Sequence, residues 1–224
     1  MPSTRSTYHS RLYRDFKGIA PAAYHDLIRF FEEKETEIRR LDPDEAFEMT
    51  VVYTEALYEA EAFRKFLLMA DEVIETSMRQ SIHRLEGRDV YFQMLYQKAY
   101  AYYRLLEYAK AEYILRQLLQ IDPDHAGVAS LLRRNLYRCK PRYVDHARAG
   151  SVLLFFLAAL VIGVEVLLVR PFYEARAGLF EYSRNGIFIL GLLLLAGAEG
   201  WHRWQVWREV AGFISLIHGK KARK

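Results

Sequence analysis

The sequence predicts an all-α protein, in which a stack of antiparallel helix pairs is followed by a transmembrane helical hairpin and a short interfacial helix. Three observations lead to this prediction. Apolar residues recur at spacings of three and four over 20–138, as they do on helix faces, and no segment alternates as a strand does. Of the 224 residues 52% are hydrophobic, and the most strongly apolar ones lie in the last third of the chain. A single cysteine excludes a disulfide framework.

The helical domain is predicted over 20–140, after a basic N-terminal arm at 1–19. The arm lacks the apolar stretch of a secretory signal peptide, whereas its Arg, Ser and Thr content leaves a mitochondrial presequence open. Pro43 in RLDPDEA and Pro123 in QIDPDHA mark two helix starts, because proline and acidic residues both favour the first turn. Helices are predicted at about 22–41, 44–63, 65–86, 90–106, 108–121 and 124–139.

Part of this domain carries the residue pattern of a known family. The run at 95–125 places small, aromatic and large apolar residues where two packed helices need them. In this pattern it resembles a tetratricopeptide repeat, with departures at Lys98 and Leu118. A second, degenerate unit covers about 47–80, so the resemblance implies a stack of helix pairs; a helical bundle without repeats is the alternative. The matching positions are Leu95, Ala99, Tyr102, Tyr108, Ala111, Leu115 and Pro123.

The resemblance implies that the first helix of the repeat faces a concave groove. Tyrosines there favour binding of a peptide or a helix, since each supplies a large contact area with few rotatable bonds. Internal packing of Tyr96 and Tyr103 against the helix at 65–86 is the alternative. The groove lacks the paired Lys and Asn with which chaperone-binding family members hold a C-terminal carboxylate. The side chains expected to bind a protein partner are Gln93, Tyr96, Tyr100, Tyr103 and Arg104.

The first membrane-spanning helix is predicted at 149–169, after a basic juxtamembrane segment at 141–148. Between Arg148 and Arg170 the only charge is Glu165, and a helix of this length covers about 31 Å, close to the thickness of a hydrocarbon core. A buried helix of a soluble protein is the alternative. Glu165 is expected near the far interface as an intramembrane charge, where it snorkels towards Arg170 or contacts a partner subunit.

A second span is predicted at 186–204. Its uncharged stretch ends before Glu199, and it reaches the length of a span only when it continues through Trp201 and Trp204, whose indoles suit the head-group level. Glu199, the second intramembrane charge, is then expected near that interface, where it snorkels or pairs with Arg203 one turn later. A re-entrant or interfacial helix is the alternative.

The charges around the two spans predict their orientation. A polar link is expected at 170–185. An amphipathic helix with a basic tail is expected at 205–224, where it lies along the membrane surface or caps the helical domain. Lys and Arg outnumber Asp and Glu nine to five over 149–224, whereas the two are equal over 1–148. Because bases flank the hairpin, the positive-inside rule places both termini in the cytosol. The side chains predicted at the membrane interface are Arg148, Arg170, Trp201, Trp204, Trp207, Lys220 and Lys221.

No sequence pattern supports catalysis. The chain contains no HExxH motif, no glycine-rich phosphate loop and no GxSxG elbow, and its seven histidines form no pair at metal-ligand spacing. Neither enzyme activity nor a cofactor or metal is therefore expected. The net charge of +4 comes from the membrane-proximal part, which favours membrane lipids over nucleic acid as a partner.

These features predict a membrane-anchored adaptor or scaffold that binds a protein partner through its helical groove and holds it at the cytosolic face of a membrane. A structural or assembly subunit of a larger integral membrane complex is the alternative. The bacterial inner membrane is the expected location, and a mitochondrial membrane is the other possibility.

Overall fold

The computed structural model of the protein describes residues 10–80, 84–85, 87–139, 141–169 and 177–221. The chain divides into two compact units, one up to Leu132 and one from Arg133 onwards. The expectation of an all-α fold is confirmed: helices account for nearly all of the described residues. In the N-terminal unit the elements are α1 (Arg11–Lys17), α2 (Tyr24–Ile38), α3 (Pro43–Glu59), α4 (Phe63–Gln80), β1 (Arg84–Leu85), β2 (Arg88–Asp89), α5 (Val90–Arg104), α6 (Tyr108–Ile121) and the first half of α7 (Ala126–Arg138).

All six predicted helices are present, with ends displaced by a few residues. Two segments of the N-terminal unit differ from the prediction. The predicted N-terminal arm contains α1, because Tyr13 and Phe16 lie three residues apart and bury one face of a short helix. The helix predicted to reach residue 86 ends at Gln80, and a two-residue antiparallel strand pair follows, with Gly87 at a φ of 83° in its turn.

The two helix hairpins α3–α4 and α5–α6 share the same turn. Each first helix ends in a Schellman motif, in which a residue with left-handed φ follows the helix: Glu61 (55°) in one and Leu106 (64°) in the other. In both, two backbone N–H groups return to carbonyls of the last turn, at 2.9–3.2 Å. Aspartates also cap the first helices, since Asp42 accepts from the Asp44 N–H and Asp89 from the Phe92 N–H. The hairpins therefore begin and turn by the same local devices.

The core of the N-terminal unit lies between successive helices, each of which packs on the next from α2 to α6. Ala99 of α5 and Ala111 of α6 are fully buried, as is Leu115, and the small side chains let these two helices approach closely. Phe31 of α2 stacks on Tyr53 of α3, with ring centroids 4.1 Å apart. The largest side chains that are fully buried in this unit include Phe16, Met49, Leu57, Phe66 and Met94.

The C-terminal unit contains two long helices. The first, α8 (Arg142–Val164), continues as a π-helical turn over Glu165–Val169, and the second is α9 (Ala177–Lys221). The prediction separated a span at 186–204 from a surface helix at 205–224, whereas the structure joins both in α9. No proline or polar turn sequence interrupts the chain at 204–205, so the backbone hydrogen bonds continue. Of the predicted link at 170–185, residues 170–176 lie outside the described residues and the remainder belongs to α9.

Leu106 offers a test of the shared turn. We expect Leu106→Gly to raise the free energy of unfolding by about 0.5–1 kcal/mol, because a left-handed φ strains any residue with a Cβ by more than the backbone entropy that glycine loses. Leu106 is largely exposed, so little packing is lost. The matched control is Leu68→Gly at an exposed position inside α4, where glycine should lower the free energy of unfolding by about 1 kcal/mol. Chemical denaturation of the full chain measures both; equal losses in the two variants would contradict the turn geometry.

Candidate binding groove and apolar hairpin

A cavity of about 380 Å³ opens between α1, α2, α3 and α5, within the N-terminal unit. We call it the groove. Its apolar wall comes from the N-terminal helices and α3, and its polar wall comes from two pairs of residues at i and i+4, which share a helix face. These pairs are Glu55 and Glu59 on α3, and Gln93 and Gln97 on α5. The apolar lining comprises Phe16, Ile19, Pro21, Leu27, Val52 and Ala56.

The polar wall of the groove contains a hydrogen bond between two side chains and a buried oxygen without one. Gln93 Nε2 donates to Glu55 Oε1 at 2.8 Å, which fixes one amide against one carboxylate. Gln97 is only 8% exposed, and its Oε1 is buried and accepts no hydrogen bond, which is costly for a polar atom. Lys17, which also lines the groove, forms an ion pair with Glu48, which does not line it. The groove therefore has a polar wall of acids and amides beside an apolar one.

A second feature is a row of aromatic rings at the α3–α4 and α5–α6 turns, which we call the aromatic strip: Tyr58, Phe63, Tyr100, Tyr103 and Tyr108. Tyr100 packs edge-on against Tyr58 and Phe63, with centroids 5.8 and 6.4 Å away. Tyr103 lies between Tyr100 and Tyr108, at 6.3 and 6.0 Å. Burial, followed by the proximity of Tyr100, raises the pKa of Tyr58 to about 12, so this ring is the anchored end of the strip.

Arg104 connects the strip to the turn after α3. Its guanidinium donates to Glu61 Oε2 at 3.0 Å and to the Tyr100 hydroxyl at 3.2 Å. The same group lies 5.3 Å from the centre of the Phe63 ring, a cation–π distance. These contacts hold the arginine side chain against the strip, although Arg104 is an exposed residue.

The predicted partner-binding residues thus divide between two places. Gln93 lines the groove, while Tyr100, Tyr103 and Arg104 belong to the strip. Tyr96 lies 6.0 Å from the His125 ring. The sequence did not identify Glu55, Glu59 or Gln97 as groove residues. The i, i+4 spacing of Glu55 and Glu59 is visible in the sequence. The opposite wall of the groove, however, is formed partly by α1, which was not predicted.

In the C-terminal unit, α8 and α9 pack as an antiparallel hairpin. Gly191 allows the closest approach, because a Cβ there would lie 2.8 Å from a carbon of the Phe155 ring. Phe155 also meets Phe188 at a centroid distance of 5.4 Å. The segments Arg142–Leu167 and Tyr182–Lys221 are long and apolar enough to cross a membrane. Most of their surface is uncovered within the chain.

Two ion pairs join the helices of the hairpin, one at each end of its apolar part. Glu165 is 2% exposed and accepts a hydrogen bond from Arg184 at 3.2 Å; its expected partner, Arg170, lies outside the described residues. At the other end Arg148 pairs with Glu199. The expected pairing of Glu199 with Arg203 is wrong, because Arg203 instead lies over the Tyr137 ring, 5.4 Å from its centre.

A polar cluster surrounds Glu199. The Tyr137 hydroxyl donates to Glu199 Oε2 at 3.1 Å, and the Tyr137 ring stacks on that of His202, with centroids 5.6 Å apart. His202 is 4% exposed, and its Nε2 lies 3.4 Å from the Tyr137 carbonyl oxygen. The sequence gave no indication of Tyr137 or His202, since their partners are more than 60 residues away along the chain.

The predicted interface aromatics lie on the exposed side of α9. Trp201, Trp204 and Trp207 are 54%, 44% and 60% exposed, so the indoles are available to head groups. Trp204 also lies under Arg208, whose guanidinium carbon is 4.6 Å from the ring centre. Lys220 and Lys221, at the end of α9, are exposed.

Comparison of the chain with protein-family models, with curated proteins and with solved structures finds no match. Function therefore has to be argued from the geometry. Within the described residues, no group of three or more His, Cys, Asp and Glu side chains is placed to hold a metal ion.

The buried ion pair of the hairpin generates a prediction. Arg184→Gln should lower the free energy of unfolding by about 3 kcal/mol, because it removes a guanidinium that bonds to the buried Glu165 carboxylate. The double variant Glu165→Gln/Arg184→Gln should lose distinctly less, since no charge is then left unpaired. Denaturant titration in detergent micelles measures both, and Arg208→Gln, at an exposed site of the same helix, is the control. A double variant less stable than Arg184→Gln would contradict the pairing.

Proposed function

We propose that the protein is a membrane-anchored adaptor, which binds a protein partner through its helical domain and keeps it at the cytosolic face of a membrane. The observation that carries this proposal is the groove: an open cavity lined by acids, amides and apolar side chains, with a buried acceptor left unsatisfied. Binding sites are typically concave, mostly apolar and equipped with a few polar groups that converge. The hairpin on the same chain supplies the anchor.

The spacing of the two ion pairs supports a hairpin that spans the bilayer. No charged residue occurs over 149–164 in α8 or over 185–198 in α9. The bridging pairs lie 17 residues apart on α8 and 15 on α9, which corresponds to about 22–26 Å along a helix. This is slightly less than a hydrocarbon core of about 30 Å, so both pairs fall near an interface, where charged groups cost least.

The two helix hairpins support a tetratricopeptide-like repeat. They share an aspartate cap and a Schellman turn with a non-glycine residue, and α4, the second helix of the first hairpin, packs on α5 of the next. Repeats of this kind stack into surfaces that bind extended partners. The strip adds tyrosines and an arginine, the residue types that dominate binding hot spots.

A membrane anchor of this kind acts by raising the local concentration of the partner rather than by catalysing a reaction. A partner captured by the groove or the strip is confined to the volume within reach of the membrane, so its encounters with membrane-bound targets become effectively intramolecular. Anionic lipids attract the basic residues at 133–148. The excess of bases flanking the hairpin favours cytosolic termini, in the bacterial inner membrane or its mitochondrial equivalent.

One observation favours the alternative of a subunit in a larger membrane complex. Gly163 and Gly197 lie in the apolar part of the hairpin. Apart from the adjacent residues and the backbone of the same helix, no atom of the described residues comes within 4 Å of a Cβ built on either glycine. Such open positions let another transmembrane helix approach closely. By contrast, Gly191 is already covered within the hairpin by Phe155. Extraction in a mild detergent distinguishes the two functions. A subunit should be isolated in a stoichiometric assembly, whereas an adaptor should not.

Orientation is tested with single cysteines in a Cys139→Ser background. In sealed vesicles with the cytosolic face outward, we expect a membrane-impermeant maleimide to label Ser215→Cys at once and Tyr182→Cys only after permeabilisation. Both positions are exposed on α9, so the difference reports sidedness rather than burial. Immediate labelling at both positions would contradict a spanning hairpin. Release of the intact chain by alkaline carbonate would contradict any membrane anchor.

Partner capture is tested by cross-linking in native membranes. Tyr103→Ala and Arg104→Ala should reduce the yield of cross-linked partner at least about tenfold, the effect of a lost hot-spot side chain of 1.4 kcal/mol or more. Tyr113→Ala is the matched control, because this tyrosine is exposed on α6 outside the strip. Circular dichroism should show unchanged helicity in all three variants. Equal yields from all variants would place the binding surface elsewhere.

A further inference from the structure

We infer that three side chains on the exposed face of α9 bind the phosphate of an anionic phospholipid in the cytosolic leaflet. This inference rests on the spanning hairpin of the proposed function and names the class of lipid that the anchor selects. The three residues stand at i, i+3 and i+7, so they share one face of the helix. They are Trp201, Trp204 and Arg208, and we call them the indole–arginine column.

The column lies on the side of α9 that the chain leaves uncovered. Val206 and Val210 are 7% and 1% exposed, and Arg208 lies two residues from each of them. Since two residues turn a helix by about 200°, Arg208 is on the opposite face. Trp201 and Trp204 are half-exposed. In a hairpin that spans the bilayer, the column therefore faces lipid.

Ring contacts hold the guanidinium of Arg208 in place. The rings of Trp201 and Trp204 are 5.0 Å apart between centroids, and the guanidinium carbon of Arg208 lies 4.6 Å from the centre of the Trp204 ring. Side chains of a helix point towards its N-terminus, so Arg208 reaches back along α9 towards the apolar part of the hairpin. A side chain held in this way loses less conformational freedom when a ligand binds.

The charge of Arg208 has no counter-ion among the described residues. Its N–H groups form no ion pair and no hydrogen bond there, and no acidic residue stands three or four positions away on α9. Exposed arginines of the N-terminal unit differ, because Arg29 and Arg79 each pair with a carboxylate one turn away. The five donors of a guanidinium, set in a planar fork, match the oxygens of a phosphate. An anion from outside the chain therefore complements this side chain.

The depth of the column in the membrane identifies the anion as a lipid phosphate. The Arg148–Glu199 pair marks the cytosolic end of the apolar part of the hairpin. Trp204, which the guanidinium contacts, follows Glu199 by five residues, about 7.5 Å along the helix. Head groups add about 5–7.5 Å on each side of a hydrocarbon core, so the guanidinium lies at their level. Basic residues outnumber acidic ones six to one over 200–224, which favours anionic over zwitterionic lipids.

The test uses the full-length chain in micelles of a neutral detergent, and native mass spectrometry counts the lipids that it binds. The probes are phosphatidylglycerol, phosphatidylcholine with the same acyl chains, and inorganic phosphate as a competitor. We expect phosphatidylglycerol to bind at least about fivefold more tightly than phosphatidylcholine, the effect of roughly one basic residue at a lipid surface. Inorganic phosphate at the same concentration should displace none of the bound lipid.

Two column variants and two matched controls locate the site. Arg208→Gln should weaken phosphatidylglycerol at least about fivefold, and Trp204→Leu should also weaken it, because the guanidinium loses its support. Lys220→Gln removes one charge from the exposed end of the same helix, and Trp207→Leu removes an exposed indole outside the column. Both controls should keep the native affinity. Circular dichroism should show unchanged helicity in all four variants, since all four residues are exposed.

Several outcomes would overturn the inference. Equal affinity of the native chain for the two lipids excludes a site for anionic lipid, and displacement by inorganic phosphate indicates a site for a free anion. Equal losses in Arg208→Gln and Lys220→Gln show that net charge alone attracts the lipid. In each case the anchor stands if Tyr182→Cys stays protected from the maleimide in sealed vesicles. If Tyr182→Cys is labelled at once while the column still selects phosphatidylglycerol, the proposed function fails instead.

Discussion

The hairpin depends on the pairing of charge at both ends of an apolar stretch. Glu165 and Arg184 neutralise each other where α8 meets the start of α9, and Arg148 does the same for Glu199 at the other end. A lone carboxylate at either place would be expensive in a medium of low dielectric constant, whereas a paired one is tolerable near the interface. The pairs also hold the two helices in one register, so that Phe155 meets Gly191 rather than a larger side chain.

A buried oxygen without a hydrogen bond distinguishes the groove from the rest of the helical domain. Elsewhere in this unit the packing is close: Ala99, Ala111 and Leu115 are fully buried, and Phe31 stacks on Tyr53. Oε1 of Gln97 is buried without a hydrogen bond, a cost that the fold has to tolerate. Departures from local rules are expected at functional sites, which is why the groove is proposed as a binding site.

Much of the fold could be predicted from the sequence, because local rules decide it. Spacings of three and four place the helices from α2 to α7, and Pro43 marks a helix start. The short helix α1 was not predicted, because its stability comes from burying Phe16 against other helices. The contacts of the candidate sites were predicted less well than the helices, because they too join residues that are far apart in the sequence. Reasoning along one helix pairs Glu199 with Arg203, but its true partner, Arg148, lies 51 residues away.

In the proposed topology the two candidate surfaces of this chain face different solvents, and this difference separates the functions proposed for them. In water, the groove and the aromatic strip would gain from burying apolar surface and from complementary charge, so they would select a partner by its charge and side chains. In lipid, a helix that packs on the uncovered glycines of the hairpin would be stabilised only by close packing, since the lipid acyl chains that it displaces are as apolar as the helices. A partner that engages Gly163 or Gly197 must therefore be a second transmembrane helix, whereas a soluble protein would be held by the groove or the aromatic strip. An adaptor needs only the aqueous surface, and the glycines would then face lipid at little cost.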